Sequence, residues 1–125
     1  QGLLGFPLTE VIDNRDYPGS THFFFDIGNG NLLAFFDFPG LDVGPYQEVL
    51  GGLHHIAISM EPDAWHAAVR RLDEAGIEHV VHSEVSVYFT DPDGITLEFA
   101  CWTKEFGDAD NTTVPRTAAD RQIPV

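Results

Sequence analysis

The sequence predicts an α+β fold made of paired βαβββ modules, of which the first lacks its opening strand and most of its helix. Three observations predict this architecture: the second half reads strand, helix, strand, strand, strand; an amphipathic helical pattern lies between its strand-like runs; and both halves contain matching hairpins. With 125 residues and 43% hydrophobic content, the chain is large enough for one domain with its own core.

The first half contains two strand-like runs, His22 to Asp26 and Leu32 to Phe38, which are rich in Phe or Leu and bounded by Gly, Asn or Pro. At Gln1 the chain opens on G-L-L-G-F-P-L, which resembles the tail of a helix running into a strand. We therefore expect residues 1–38 to be the remainder of a first module that lacks roughly 20 to 30 residues. Residues 39–52 carry Pro and Gly, and we expect them to connect the two modules within one structural domain.

The second module is expected to span residues 53–102. A helix is predicted from Pro62 to Ala75, because proline suits a first helical turn and Gly76 suits the C-terminal cap. Its apolar stripe is Trp65, Ala68, Val69, Leu72 and Ala75, and the residues predicted to face water are Arg70, Arg71, Asp73 and Glu74. Strands are predicted at 53–59, near 77–82, at 85–89 and at 95–102. Residues 103–125 are polar and aperiodic, and are predicted to form a C-terminal tail.

The two hairpins align when Gly30 is placed over Gly94. The alignment sets F-F-F-D-I-G-N-G-N-L-L-A-F-F-D-F over V-Y-F-T-D-P-D-G-I-T-L-E-F-A-C-W, with the glycine at the same step. Strand length, turn position and order agree together, which indicates an internal repeat. In this alignment Ala34 occupies the position of Glu98.

The composition excludes some classes of partner. Lys and Arg total 6 against 20 Asp and Glu, so the formal net charge of −14 opposes binding to nucleic acid or to an anionic membrane surface. The single cysteine, Cys101, cannot form an internal disulfide, and strand parity assigns it to the core; a cytoplasmic location is therefore expected.

Glu98 interrupts an otherwise apolar strand. Because side chains alternate along a strand, Glu98 lies on the face opposite its apolar neighbours, which are expected to pack on the helix. In the strand predicted at 53–59, the isoleucines are expected to face the helix. Because side chains alternate, His55 then lies on the opposite face, which is the face of Glu98. An imidazole and a carboxylate that face one cavity are suitable ligands for a divalent transition metal.

Two motifs together resemble the vicinal oxygen chelate superfamily: G-L-H-H-I-A-I-S at residues 52–59 and Y-F-T-D-P-D-G-I-T-L-E at residues 88–98. This superfamily includes glyoxalase I, bleomycin and fosfomycin resistance proteins and extradiol dioxygenases. The resemblance covers about residues 2–102 and implies a U-shaped mixed sheet around a cavity that holds a metal. It implies His55 and Glu98 as metal ligands, with a further ligand, commonly His, expected before Gln1.

Ala34 narrows the activity that the resemblance implies. Relatives of the glyoxalase I type usually carry carboxylates from both modules, so an alanine here disfavours that lyase or isomerase class. A site of two histidines and one carboxylate resembles the Fe(II) centre of extradiol, ring-cleaving dioxygenases. We therefore expect a dioxygenase-like oxidoreductase acting on a small, aromatic, oxygenated substrate, with Fe(II) as the metal and Mn(II) or Zn(II) as alternatives. Fosfomycin resistance transferases share the three-ligand arrangement, and that class stays open.

The resemblance also implies groups that handle protons beside the metal. Tyr88 keeps the expected spacing to Glu98, and either His22 or His82 is expected to act with it. Three aromatic side chains are expected to bind the substrate: Phe24, Phe36 and Trp102. The alternative function is a protein that sequesters a small molecule without catalysis, as bleomycin resistance proteins do. In either case we expect a homodimer.

Overall fold

The computed structural model describes residues 1–42 and 44–101. Along the chain the elements are β1 (Leu8–Asp13), β2 (Thr21–Gly28), β3 (Asn31–Phe36), β4 (Ile56–Ser59), α1 (Pro62–Glu74), β5 (His79–His82), β6 (Ser86–Thr90) and β7 (Thr96–Ala100). The predicted tail, residues 103–125, lies outside the described residues. Within the described ranges, no helix is both long enough and apolar enough to cross a membrane.

The second half forms a sheet with the strand order β4-β7-β6-β5. The helix α1 carries the chain from β4 at one edge to β5 at the other, and β5, β6 and β7 then return as antiparallel neighbours. This return places β7 beside β4, with which it pairs in parallel. The order strand, helix, strand, strand, strand confirms the predicted βαβββ module and the α+β fold class.

The first half forms a separate antiparallel sheet with the order β1-β2-β3. Its hairpin has the register of the second hairpin: Phe24 pairs with Ala34 in one, and Tyr88 pairs with Glu98 in the other. Phe24 and Ala34 precede Tyr88 and Glu98 by the same number of residues that separates Gly30 from Gly94. The pairing therefore supports the internal repeat. A backbone hydrogen bond from Gly5 to the Gln1 carbonyl closes a helical turn just before β1, as the opening residues predicted.

The core lies between α1 and the sheet of β4 to β7. Trp65 and Leu72 from the helix share one buried cluster with Val87 and Phe99 from the sheet. Burying a side chain of this kind contributes about 1.5–3 kcal/mol, so this layer carries much of the stability. The indole Nε1 of Trp65 donates a 2.9 Å hydrogen bond to the Phe99 carbonyl, and Cys101 is buried in the same cluster, as predicted.

The first sheet borders this core without joining the second sheet by a ladder, as far as the described residues show. The partly buried residues of the first half that pack against the cluster are Leu3, Leu4, Phe6, Ile27 and Leu33. The Phe6 ring meets the Phe99 ring edge-on, with centroids 5.9 Å apart. Side-chain packing thus connects the two halves at this point.

Several predicted boundaries require correction. The strand predicted at 53–59 begins at Ile56, because its ladder with β7 starts at the pair Ile56 and Leu97. The strand predicted at 32–38 starts at Asn31 and ends at Phe36, where the pairing with β2 ends. The helix ends at Glu74, with Ala75 as its C-terminal cap and Gly76 following at a φ of 66°.

One helix residue differs from the prediction in its surroundings. Arg71 was predicted to face water, yet it is half-buried. Its Nη2 donates a 3.4 Å hydrogen bond to the Leu4 carbonyl, far away in the sequence. The helical pattern alone does not show that the opening segment of the chain passes over this part of α1.

The connector is fixed to the second hairpin through Tyr46. Its backbone N–H donates a 2.9 Å hydrogen bond to the Asp93 carbonyl, and its phenol donates to the Leu53 carbonyl. Gly94 in the hairpin turn has a φ of 94°, and a Cβ built there would lie 3.5 Å from the Tyr46 carbonyl oxygen. Glycine suits this turn because it adopts the left-handed conformation without a steric penalty.

Candidate metal centre

Glu98 is the buried carboxylate of the second sheet, with only 8% of the residue exposed. It lies in the middle of β7, and its neighbours Leu97 and Phe99 point to the opposite, helix-packed side. Its two carboxylate oxygens have different partners: Oε1 accepts a 2.6 Å hydrogen bond from the Ser86 hydroxyl, and Oε2 lies 3.0 Å from Nε2 of His55. The carboxylate is therefore held from two sides.

His55 reaches Glu98 from the residue just before β4. The parallel ladder pairs Ala57 with Glu98, and strand parity places His55 on the same face as Ala57. The other ring nitrogen of His55, Nδ1, lies 2.7 Å from Nδ1 of His54. One of these two Nδ1 atoms must donate and the other accept, so the pair restricts the tautomers of both rings.

Tyr88 completes this group from the neighbouring strand. It lies directly opposite Glu98 in the β6–β7 ladder, and its ring centroid is 5.9 Å from that of His55. The pKa of Tyr88 is raised, first because its phenol hydrogen-bonds the Glu98 carboxylate and then because it is partly desolvated beside that negative charge. The phenol thus stays protonated at neutral pH beside the Glu98 carboxylate.

The contacts around Glu98 keep its carboxyl group ionised. Burial by itself raises the pKa of Glu98, but hydrogen bonds from Ser86 and Tyr88 and the nearby imidazole of His55 together outweigh burial. The pKa of Glu98 consequently falls below its ordinary value of 4.5. An ionised carboxylate is the form that binds a metal ion.

The separation of the two donor atoms is that of a direct hydrogen bond, and it also fits adjacent ligands of one metal ion. Two ligands about 2.1 Å from a metal and at right angles to each other are about 3.0 Å apart. Nε2 of His55 and Oε2 of Glu98 are 3.0 Å apart. Imidazole nitrogen with carboxylate oxygen suits Fe, Mn or Zn. Within residues 1–42 and 44–101, no third His, Cys, Asp or Glu joins these two residues to form a cluster.

Ser86 is the member of this group that the sequence did not indicate. It is the first residue of β6 and pairs with Ala100, so it lies diagonally across the ladder from Glu98. Serine at the start of a strand is common, and the strand pattern gives it no special signal. Only its position two residues before Tyr88, on the same face, could have suggested it.

His22, Phe24 and Phe36 lie together in the first sheet. The imidazole of His22 is placed between the two rings, with centroids 4.0 Å from Phe24 and 3.9 Å from Phe36. Among the described residues, no hydrogen bond, ion pair or ring contact links this aromatic group to His55 or Glu98. The cavity of about 280 Å³ beside His22 and Phe36 is otherwise lined by residues 12–16 of the same half.

His82 lies at the end of β5 and pairs with Ser86. Strand parity therefore places it on the face of Tyr88 and Glu98, but its ring is exposed, and Nδ1 lies 3.0 Å from the Ser83 hydroxyl. Trp102, the third residue predicted to bind substrate, lies outside the described residues. The structure thus brings together His55, Tyr88 and Glu98 of the predicted site.

An open cavity of about 490 Å³ adjoins this group at Tyr88. Its wall includes Thr90 and Thr96, which pair with each other and lie on the same face as Tyr88 and Glu98. The exposed side chain of Val80, which pairs with Tyr88, also lines the cavity. A small molecule in this cavity would therefore contact hydroxyl groups and apolar side chains next to the candidate metal ligands.

The fold of this chain is similar to those of several solved structures. A glyoxylase/bleomycin resistance protein/dioxygenase domain from Frankia sp. EAN1pec is 19% identical, with a TM-score of 0.64 over 79% of this chain and 80% of that one. A proposed dioxygenase from Bacillus subtilis subsp. subtilis str. 168 is 25% identical, with a TM-score of 0.64. That match covers 94% of this chain but 39% of the Bacillus chain, so this chain spans well under half of that protein's length.

A third similar structure contains a bound metal. The fosfomycin resistance protein FosX from Listeria monocytogenes, solved with Mn(II) and sulfate, is 18% identical. The match has a TM-score of 0.52 and covers 81% of this chain and 75% of that one. The family model for the Glyoxalase/Bleomycin resistance protein/Dioxygenase superfamily matches residues 1–99. The chain with the paired hairpins and the His55–Glu98 contact therefore belongs to the Glyoxalase/Bleomycin resistance protein/Dioxygenase superfamily.

Proposed function

We propose that this chain is part of a metal-dependent enzyme that acts on a small oxygenated molecule, with His55 and Glu98 as two of the metal ligands. The observation that carries the proposal is the 3.0 Å separation of His55 Nε2 and Glu98 Oε2 on the face of Tyr88. The Mn(II) in FosX from Listeria monocytogenes supports a divalent metal for this fold. The remaining ligands would come from groups outside the described residues, including solvent and substrate.

The reaction class proposed is ring-cleaving dioxygenation with Fe(II). A bound metal of this kind would act as a Lewis acid and as a template for a substrate chelated through adjacent oxygens. Tyr88 would donate a hydrogen bond or a proton to a substrate oxygen, and the adjoining cavity would hold an aromatic ring against Val80, which pairs with Tyr88. Ala34 supports this class over a lyase or isomerase, because no carboxylate stands at that position of the first sheet.

The second candidate function is sequestration of a small molecule without catalysis. The observation that favours it is the aromatic group of His22, Phe24 and Phe36, in which His22 stacks on Phe36 and is tilted against Phe24; such a group could contact a flat ligand. Phe36 is about half exposed, so its ring is accessible. This function would not require a metal.

Metal titration of the chelator-treated chain separates the two candidates. Calorimetry with Mn(II), and with Fe(II) under anaerobic conditions, is expected to show stoichiometric binding that His55→Ala and Glu98→Gln both abolish. His66→Ala and Glu74→Gln are matched controls, because both residues are exposed on α1. The Fe(II)-loaded protein is then tested for oxygen uptake with catechols. Absence of metal binding, together with binding of aromatic ligands, would support sequestration and contradict the enzymatic proposal.

A further inference from the structure

Ser86 holds one oxygen of the Glu98 carboxylate at a short distance. Its hydroxyl donates a 2.6 Å hydrogen bond to Oε1, at the lower end of the usual range for hydroxyl donors. Ser86 is half-buried, and Glu98 is buried. A bond to an ionised acceptor in such surroundings is stronger than one between neutral groups.

The two carboxylate oxygens of Glu98 make different contacts. Oε1 is bound to Ser86, whereas Oε2 lies toward the imidazole of His55. Each carboxylate oxygen has two lone pairs, and the Ser86 hydroxyl occupies one of those on Oε1, so Oε1 has less capacity left for a metal ion. The arrangement therefore favours a metal ligand that binds through Oε2 alone.

In the first sheet, which has no carboxylate at the position of Glu98, the position of Ser86 is also occupied by a different residue. By the offset that relates Gly94 to Gly30, Ser86 corresponds to His22 and Glu98 corresponds to Ala34. At the first of these positions the His22 ring packs on Phe36. The serine thus occurs in the sheet that carries the glutamate, which is consistent with a role tied to that carboxylate.

We propose that Ser86 is a positioning residue that holds Oε1 of Glu98 and thereby presents Oε2 as a monodentate metal ligand. The inference rests on the proposed function, since it concerns the same metal site. Groups that orient metal ligands in this way typically contribute about 10- to 100-fold to metal affinity. Ser86 itself contacts neither metal nor substrate in this assignment.

The test measures Mn(II) affinity and the orientation of Glu98 separately. By calorimetry, Ser86→Ala is expected to bind Mn(II) about 10- to 100-fold more weakly than the wild type, and Ser86→Thr, which keeps the hydroxyl, should restore most of that loss. Ser59→Ala is the matched control, because Ser59 is exposed on β4 and pairs with Ala100 rather than with Glu98. Crystal structures of the metal-free wild type and Ser86→Ala report whether Glu98 turns when the hydroxyl is lost.

The outcomes distinguish this inference from the proposed function. If the wild type binds no divalent ion, the proposed function is contradicted. The role of Ser86 in presenting Oε2 as a metal ligand is then contradicted too, whatever the metal-free structures show. If the wild type binds Mn(II) but Ser86→Ala binds it equally well and leaves Glu98 in place, only the role of Ser86 is overturned. Should Ser86→Ala not fold, Ser86→Val is compared with Ser86→Thr, because valine has nearly the shape of threonine without the hydroxyl; the valine variant is expected to bind Mn(II) more weakly, and equal affinities would overturn the role of the hydroxyl.

Discussion

Tyr88 on β6 lies directly opposite Glu98 on β7, and the equivalent pair in the first sheet is Phe24 and Ala34. The same backbone register thus carries a polar pair in one hairpin and an apolar pair in the other. Because the ladders match, the difference between these two hairpins lies in their side chains and not in their backbone pairing. The candidate metal ligands and the neighbouring Tyr88 therefore all lie in the second module.

Replacing Glu98 by Gln in the metal-free protein is expected to remove a pH-dependent part of the stability. The pKa of Glu98 is lower in the folded state than its ordinary 4.5, so the ionised carboxylate stabilises the folded state above pH 4.5. This contribution is lost as the pH falls through the lowered folded pKa. Urea unfolding at a series of pH values should therefore show the difference between wild type and Glu98→Gln shrinking below pH 4.5. A difference that stays constant or grows on acidification would contradict this expectation.

The two repeat-equivalent phenylalanines Phe99 and Phe35 are expected to differ in their contribution to stability. Phe99 is fully buried beneath α1, whereas Phe35 is only half-buried. Phe99→Ala should lower the free energy of unfolding by about 3–5 kcal/mol, as is typical for truncating a buried aromatic ring. Phe35→Ala should cost clearly less, because more of its ring already contacts water. Equal losses in denaturant unfolding would show that the first sheet is covered as completely as the second.

Trp65→Phe is expected to destabilise the protein through two losses: part of the buried ring, which leaves a cavity, and a hydrogen bond whose unpaired acceptor costs about 1–3 kcal/mol. The phenyl ring keeps most of the apolar contact, but it cannot donate the 2.9 Å hydrogen bond to the Phe99 carbonyl. That carbonyl would then lose a partner inside the core. Thermal unfolding followed by circular dichroism measures the effect; an unchanged midpoint would mean that this bond contributes nothing net.

Gly94→Ala is expected to destabilise the second hairpin. Gly94 has a φ of 94°, which an alanine adopts only with strain, whereas the added Cβ would make an ordinary van der Waals contact, 3.5 Å, with the Tyr46 carbonyl oxygen. Strain of this kind costs about 1–3 kcal/mol. Gly2→Ala is a suitable control, since no atom lies within 4 Å of a Cβ built there and no positive φ is recorded for it. Comparable stability of the two variants would argue against strain at Gly94.

The sequence by itself determined the elements of the second module. The helix followed from apolar residues at helical spacing, and Trp65, Ala68 and Leu72 of that stripe are buried. The hairpins followed from matching glycines between β-rich runs. Strand parity was sufficient to place His55 and Glu98 on one face, because alternation of side chains is a local property of any strand.

The tertiary structure decided which side chains from different elements come into contact. The parallel pairing of β4 with β7 brings His55 to 3.0 Å from Glu98, although a helix and three complete strands lie between them in the sequence. Ser86 became part of the site through a diagonal contact across a ladder, and His22 came to lie between two aromatic rings of the other sheet. Periodicity specifies which side of an element faces the core, whereas the distance between two side chains depends on how separate elements pack together.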